Sequence, residues 1–152
     1  MDRRGGNPFR GEPLSGQYDW GYREYDAKMW AAYYGIPFNE PVGFRVDPDR
    51  LALACLAADG QGALVPCCHL LQRLIFVDAV AIDDDVIAGL PAQLGLDAGS
   101  FRRDLETARP RHDALLDEAR TRGAFGVPTF FLGDRMFWGN DRLVLLEAAL
   151  AA

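Results

Sequence analysis

The chain lacks the features that mark membrane and nucleic-acid-binding proteins. Its 152 residues contain no uninterrupted apolar run near the ~20 residues that a bilayer-spanning helix needs. No block of lysines and arginines occurs, and the formal net charge is −6. Because an acidic chain of this kind repels phosphate-rich surfaces, we predict neither a nucleic acid nor a membrane as a partner.

A secretion signal is also missing from the sequence. The chain begins Met-Asp-Arg-Arg-Gly-Gly-Asn-Pro, and no apolar segment follows the arginines, as a signal peptide would require. Hydrophobic residues make up 49% and charged residues 25% of the chain, which is ordinary for one globular domain or one domain with an insertion. We therefore expect a cytoplasmic protein.

Cysteine and histidine are scarce. Cys55, Cys67 and Cys68 form neither a C-x-x-C redox pair nor a zinc pattern, which argues against a disulfide oxidoreductase. We predict that they are small buried side chains in a reducing compartment. Of the two histidines, His69 lies among apolar residues and is predicted to pack in the core, whereas His112 lies between two charged residues and is predicted to be solvated. No metal site is predicted.

Sequence with clear strand character is confined to residues 123–142. Two short apolar runs, 129–131 and 136–138, carry β-forming side chains, and we predict that their aromatic rings belong to a core. The Gly133-Asp134 pair between the runs suits a tight hairpin turn, because glycine adopts a positive φ without a steric penalty. The pattern therefore predicts an antiparallel hairpin.

The two ends of this hairpin carry distinctive residues. Val127-Pro128 stands at the entrance of the first strand, where the missing backbone donor of proline is tolerated. Asn140 and Asp141 follow the second strand and precede an apolar-periodic segment. We predict that Asn140 is the N-cap of a closing helix and that Asp141 interacts favourably with the positive end of this helix.

The remainder of the chain has helical periodicity, broken by glycine and proline. Asp47, Asp83 and Asp97 are predicted N-caps, and Pro91 is predicted to kink or shorten the helix that contains it. The predicted helices before the hairpin cover residues 20–34, 48–59, 66–77, 84–94, 98–108 and 110–122.

These elements suggest an extended segment at 1–18, a helical region at 19–122 and a strand-strand-helix unit at 123–152. Two strands alone are marginal in water, so the hairpin has to pack on helices or pair with further strands. The outer edge of the strand near Thr129 is predicted to be unpaired, which invites pairing with a second copy of the chain or covering by residues 1–18.

The hairpin sequence resembles that of the 2-hydroxychromene-2-carboxylate isomerases, relatives of the kappa-class glutathione transferases in the DsbA-like branch of the thioredoxin superfamily. The likeness is carried by residues 123–131 and 137–142, and more weakly by 6–8, 35–38 and 95–97. It implies an α/β thioredoxin-like fold with a large all-helical insertion, in which this chain supplies the C-terminal ββα unit.

The chain also departs from the family pattern. Family members begin with a βαβ unit whose first loop holds a catalytic serine, and no Ser-Pro-Tyr motif occurs here. The early Ser15 lies in a different context. We therefore expect an N-terminally shortened member without the first βαβ unit, assign no catalytic residue, and leave open whether the chain is an active enzyme.

The resemblance implies a glutathione site. Val127 and Pro128 match positions that present the backbone to the cysteinyl part of glutathione, with a cis bond between them, and Asn140 and Asp141 match positions that hold its γ-glutamyl end. Asn7 and Tyr22 correspond to positions near the glycyl side. Capping remains an equal alternative for Asn140 and Asp141, and helix packing an alternative for Tyr22.

The implied activity is a glutathione-dependent cis-trans type isomerisation in aromatic catabolism, with a small aromatic or unsaturated substrate. Because the catalytic serine motif is missing from this sequence, we expect the enzyme to be impaired or incomplete. The alternative is a non-catalytic thioredoxin-fold binding or interaction module that retains part of a glutathione cleft.

Overall fold

A computed structural model describes residues 20–39 and 46–151. The described chain divides into two compact units, one ending at Arg109 and one beginning at Pro110. The division into 1–18, 19–122 and 123–152 stays a prediction, and its first segment lies outside the described residues. The helices are α1 (Trp20–Tyr34), α2 (Pro48–Asp59), α3 (Leu64–Phe76), α4 (Asp84–Leu94), α5 (Ala98–Thr107), α6 (Arg109–Thr121) and α7 (Leu143–Leu150); the strands are β1 (Thr129–Leu132) and β2 (Arg135–Trp138).

The first unit has a core formed by α2, α3, α4 and α5. Helix α2 packs on α3 and α5, and α4 packs on α5 and α3. Small side chains let these helices approach closely, while larger apolar side chains fill the space between them. The buried cluster comprises Ala54, Ala57, Ala58, Ala63, Cys67, Leu71, Ile87, Leu90 and Phe101.

Aspartate caps define three of these helices, as the sequence predicts. The Asp47 carboxylate accepts from two backbone N–H groups of α2, and the Asp83 carboxylate accepts from Val86 N at 2.9 Å. Asp97 accepts from Ser100 N at 2.7 Å, and this hydrogen bond is the main cause that lowers the pKa of the Asp97 carboxyl. Each cap satisfies amides that have no partner inside the helix.

One proline prediction needs correction, and one of the two alternatives given for a second proline is wrong. Helix α3 begins at Leu64 rather than at Pro66, because a proline is tolerated within the first turn, whose N–H groups have no intrahelical partner. Pro91 does not shorten α4, which continues to Leu94 and ends at Gly95 in the left-handed conformation, whereas the alternative of a kink stays a prediction. Pro91 is itself fully buried, so packing offsets the lost hydrogen bond.

Both histidine predictions are wrong. His69 is exposed, because the buried positions of α3, Cys67 and Leu71, lie four residues apart on the opposite side of the helix. His112 is buried, and its Nδ1 lies 3.3 Å from the Asp113 carboxylate. Charged sequence neighbours did not expose His112, because adjacent residues of a helix point in different directions.

The second unit consists of α6, the hairpin and α7. The strands pair antiparallel, with Thr129 opposite Trp138 and Leu132 opposite Arg135. Gly133 in the turn has a φ of 58°, which confirms its predicted role. Nothing else pairs with either strand among residues 20–39 and 46–151, so the sheet described has two strands.

The predicted burial of the strand aromatics is wrong in this unit. Phe130 and Phe131 are half-buried, and Trp138 is exposed. A hairpin of two four-residue strands has too little area to enclose large rings on both faces. The guanidinium of Arg122 covers one of them, with its central carbon 3.9 Å from the centre of the Phe131 ring.

Asn140 is not a helix cap, which corrects another prediction. After Gly139 the chain makes a 3-10 turn, Asn140–Arg142, and no side chain caps it. The α7 helix begins only at Leu143, so its N-cap position falls on Arg142. A 3-10 turn is a frequent start of an α-helix, and here it moves the cap position by two residues. No helix in the described parts of the chain is long and apolar enough to cross a membrane.

Candidate ligand-binding site

The residue before β1 is hydrogen-bonded to the residue after β2. The Val127–Pro128 peptide bond is cis, as the resemblance implies. The carbonyl oxygen of Pro128 accepts a hydrogen bond from Gly139 N at 2.9 Å, which continues the hairpin ladder by one pair beyond Thr129 and Trp138. Val127 and Asn140 are the residues that flank this pair on its outer side. The predicted site residues before β1, Val127 and Pro128, and those after β2, Asn140 and Asp141, therefore lie at the same end of the hairpin.

Val127 is the most exposed of the large hydrophobic residues at this end. Its exposed fraction is 79%, and neither its backbone N–H nor its C=O makes a hydrogen bond to any residue that the structure describes. An exposed backbone donor and acceptor next to a strand entrance is the arrangement with which a protein binds an extended peptide by strand addition. The position therefore offers two hydrogen bonds to a peptide-like ligand.

Asn140 contributes a polar side chain at the same end of the hairpin. Its amide group is half-buried and makes no hydrogen bond within the described ranges. A side-chain amide holds both donors and an acceptor, so it can bind a carboxylate or an amide of a ligand. The absence of a capping bond leaves this side chain available.

The Asp141 carboxylate is held in place by its neighbours. Arg142 donates from a guanidinium nitrogen to Asp141 Oδ2 at 2.6 Å, and both side chains are half-exposed. The other carboxylate oxygen lies over Gly139, where a Cβ would come within 2.6 Å of it. Gly139 has a φ of 98°, so glycine is required there for two reasons. An exposed ion pair of this kind contributes about 0–1 kcal/mol, so a ligand ammonium can compete for the carboxylate.

Aromatic side chains form an apolar wall beside Val127. The rings of Phe125 and Trp138 have their centres 4.8 Å apart, and both are exposed. A Cβ on Gly126 would lie 2.5 Å from the indole nitrogen of Trp138, so the loop backbone packs directly on this ring. Thr129 closes the loop by donating its hydroxyl to the Gly126 carbonyl. The wall gives the site a surface for an apolar or flat group.

The structure does not bring every predicted residue to this site. Val127, Pro128, Asn140 and Asp141 lie together, whereas Asn7 falls outside the described residues. Tyr22 lies on α1 in the first unit, exposed, with its ring 6.4 Å from that of Tyr25. The alternative role predicted for Tyr22 was helix packing, and its side chain is not buried in a helix interface.

Reasoning from the sequence missed Phe125, Gly126, Gly139 and Arg142. The glycines carry a signal that could have been used, since each lies next to one of the predicted site residues. The contact between Phe125 and Trp138 had no such signal, because thirteen positions separate them in the chain. Across the described ranges, no group of three or more histidine, cysteine, aspartate or glutamate side chains is arranged to hold a metal ion.

Comparison with known proteins places these features in a family. Residues 21–151 match the family model of the DSBA-like thioredoxin domain. The chain is 33% identical over 132 residues to a 2-hydroxychromene-2-carboxylate isomerase of Pseudomonas putida and 35% identical over 133 residues to one of Pseudomonas sp. (strain C18). Each alignment covers 85% of this chain.

A solved structure is similar along the same stretch. A 2-hydroxychromene-2-carboxylate isomerase superposes with a TM-score of 0.76 at 31% identity and covers 86% of this chain. The chain spans 64% and 61% of the length of the two Pseudomonas relatives and 65% of the solved chain. The helical first unit, the antiparallel hairpin and the closing helix agree with this fold. The chain belongs to the DSBA-like thioredoxin domain family.

Proposed function

We propose that the hairpin end formed by Val127, Pro128, Asn140 and Asp141 binds glutathione. We further propose that the chain works as a glutathione-dependent isomerase of aromatic catabolism, acting on 2-hydroxychromene-2-carboxylate or a similar unsaturated aromatic acid. The observation that carries the proposal is the unpaired backbone of the exposed residue Val127, at the hairpin end where Asn140 also lies. The isomerase relatives support the substrate class.

Glutathione matches the chemical groups of this site. Its extended peptide backbone can pair with the N–H and C=O of Val127 in the manner of an added strand. Its γ-glutamyl end carries an ammonium, which Asp141 can bind, and a carboxylate, to which the Asn140 amide can donate. Proline at position 128 has no N–H to compete for the ligand. Glutathione in its thiol form belongs to reducing compartments, so the proposal includes a cytoplasmic site of action.

The proposed reaction is a reversible thiol addition. Glutathione held by Val127, Asn140 and Asp141 would supply the thiol for this addition, and its sulfur and proton would both be returned when the addition is reversed. The site contributes by fixing the thiol against the substrate, which replaces an encounter in solution by an oriented one. The Phe125 and Trp138 rings offer a surface for the aromatic acid. No residue of this chain is assigned the role of lowering the thiol pKa.

Calorimetry with glutathione tests the binding step. We expect binding by the unmodified chain and a roughly 10- to 100-fold weaker affinity for Asp141→Asn, because a charged hydrogen bond contributes about 1.5–3 kcal/mol. Asp134→Asn is the matched control, since it removes the same charge at the opposite, turn end of the hairpin. The dipeptide Cys-Gly, which lacks the γ-glutamyl group, should not distinguish the Asp141 variant from the unmodified chain. Absence of heat at millimolar glutathione would contradict the proposal.

A second candidate is a non-catalytic binding module with the same site. The unpaired backbone groups of Val127 favour it, because binding by strand addition needs no catalytic side chain. An isomerisation assay of this chain, beside a version extended upstream with a strand-helix-strand unit, separates the two candidates. Binding with turnover in either protein supports the isomerase, and binding without turnover in both supports the module.

We also propose that the chain associates through β1. The outer edge of β1 has no partner strand in the part of the chain that the structure describes, and such an edge pairs readily with another chain. Light scattering over a concentration series checks this, with Phe131→Pro as the variant that removes a backbone donor from β1. A monomer at high concentration would contradict it.

A further inference from the structure

The three cysteines, which are separate in the sequence, converge between α2 and α3. Cys55 lies on α2, and Cys67 and Cys68 lie on α3, which packs against it. The sulfurs of Cys55 and Cys68 are 3.4 Å apart. The Cys67 sulfur lies 3.9 Å from the Ala54 carbonyl and is fully buried. Cys55 and Cys68 therefore form a close sulfur pair, and Cys67, which interacts with Cys55, is the third thiol of the cluster.

The close pair is also the accessible pair. Cys55 and Cys68 are half-buried, whereas Cys67 has no exposed surface. Cys55 and Cys68 therefore keep part of their surface in contact with solvent, whereas Cys67 keeps none. Geometry and access select the same two thiols.

We propose that Cys55 and Cys68 form a redox-modification site, a dithiol that a low-molecular-weight disulfide such as oxidised glutathione converts to an intrachain disulfide. The first thiol attacks the reagent, forms a mixed disulfide and releases one thiol. The second then attacks the bound sulfur, closes the Cys55–Cys68 bond and releases another. The protein loses two electrons and two protons, and one reagent molecule is reduced to two thiols.

Closing the bond requires a small movement. A disulfide has a sulfur–sulfur distance of about 2.05 Å, so the two sulfurs must approach by about 1.4 Å. Rotation of the cysteine side chains and a slight shift of α3 along α2 can supply this. The product would link the two helices on either side of the Gly60–Ala63 connection and restrict their separation in the unfolded chain.

The environment of the thiols makes the reaction slow at neutral pH. Burial raises the pKa of the Cys68 thiol to about 11, and its hydrogen bonding to Cys67 raises the pKa of Cys55. Both groups are therefore mostly protonated near neutrality, and the attacking thiolate is scarce. We expect oxidation over hours rather than seconds, and full reversal by an excess of dithiothreitol.

Mass spectrometry after incubation with oxidised glutathione tests the proposal. We expect the intact chain to lose the mass of two hydrogen atoms. Cleavage after arginine releases one peptide, 51–73, that contains all three cysteines, and further cleavage before Asp59 separates Cys55 from the other two. The expected product is a pair of peptides joined through Cys55 and Cys68, with Cys67 modified by an alkylating reagent added under denaturing conditions.

Matched variants give the control. Cys67→Ala should keep the linkage, whereas Cys55→Ala and Cys68→Ala should abolish it. The same peptide analysis on the unmodified chain does not depend on the variants folding. A Cys55–Cys67 link, a Cys67–Cys68 link, a mixed disulfide that never closes, or no oxidation would each overturn the proposal. None of these outcomes bears on the glutathione site of the second unit, because no cysteine lies there.

Discussion

The two units of the chain bury their apolar residues to very different extents. In the first unit, Leu90, Cys67 and three alanines of α2 have no exposed surface. In the second unit, none of the apolar residues described between 110 and 151 is buried, and several large ones are exposed on the loop, the strands and α7. Both units are similarly apolar in sequence, so composition does not account for the difference.

The two units therefore differ in what they contribute: the first supplies the buried core, and the second carries the candidate binding site. The first unit encloses its own core, because four helices surround a common centre and small residues allow close approach. The second unit leaves an open strand entrance, exposed rings and unpaired backbone groups, and these are the features that a ligand needs. The candidate site lies in the unit that contributes least to the buried core.

The largest expected effect comes from truncating the first core. Leu90→Ala should destabilise the chain by about 2–5 kcal/mol, because it removes buried methyl groups and leaves a cavity. Leu145→Ala on the exposed side of α7 is the matched change and should cost no more than about 0.5 kcal/mol. Denaturant unfolding followed by helical circular dichroism measures both. Equal losses would remove the contrast between the units.

A smaller effect is expected at the wall of the candidate site. Gly126→Ala places a Cβ against the Trp138 indole and should destabilise the hairpin by about 1–3 kcal/mol as the ring is displaced. The indole N–H resonance of Trp138 should shift, and glutathione affinity should fall if the wall shapes the site. An unchanged resonance would contradict the packing described here.

The caps of the first unit should contribute about as much as a typical N-cap. Asp83→Ala removes the acceptor for Val86 N and should cost about 1 kcal/mol. Asp85→Ala loses the same charge in the same first turn without a capping bond and should cost about 0.3 kcal/mol. Urea midpoints of the two variants, compared with the unmodified chain, check the difference. Identical midpoints would show that charge rather than capping stabilises α4.

The smallest effect has the opposite sign. Gly89 lies inside α4, and an added Cβ would meet no atom within 4 Å. Gly89→Ala should therefore stabilise the chain by about 0.5–1 kcal/mol, because alanine loses less backbone entropy on forming a helix. Thermal unfolding measures this gain. Together with the loss expected for Gly126→Ala, it would show that the same substitution has opposite effects in the two units. A loss on Gly89→Ala would contradict the open space around α4.

Much of the local structure was predictable from the sequence, because its signals act over a few residues. Aspartate caps, the glycine at the end of α4, the Gly133 turn and the pairing of the two short runs all depend on neighbours within one turn or one hairpin. The start of α3 and the position of the α7 cap were missed, since a proline or an asparagine is compatible with more than one place in a first turn. The residues at the end of the hairpin, Val127, Pro128, Asn140 and Asp141, were predicted through the family resemblance.

Burial was predicted less well, because it depends on what lies opposite each side chain. His69 is exposed and His112 is buried, which is the reverse of what their sequence neighbours indicate. Trp138, predicted to lie in a core, is exposed. The contact between Cys55 and Cys68 is a further case. Thirteen positions separate these residues, and no spacing rule joins them.

The sequence by itself determined the helices, the hairpin with Pro128 at its entrance, and the family, since these follow from backbone preferences and a contiguous motif. Only the tertiary structure decided which apolar residues form a core, which thiols meet and which backbone groups stay open. The physical reason is that burial and sulfur contact depend on the packing of elements distant along the chain, whereas caps and turns depend on neighbours.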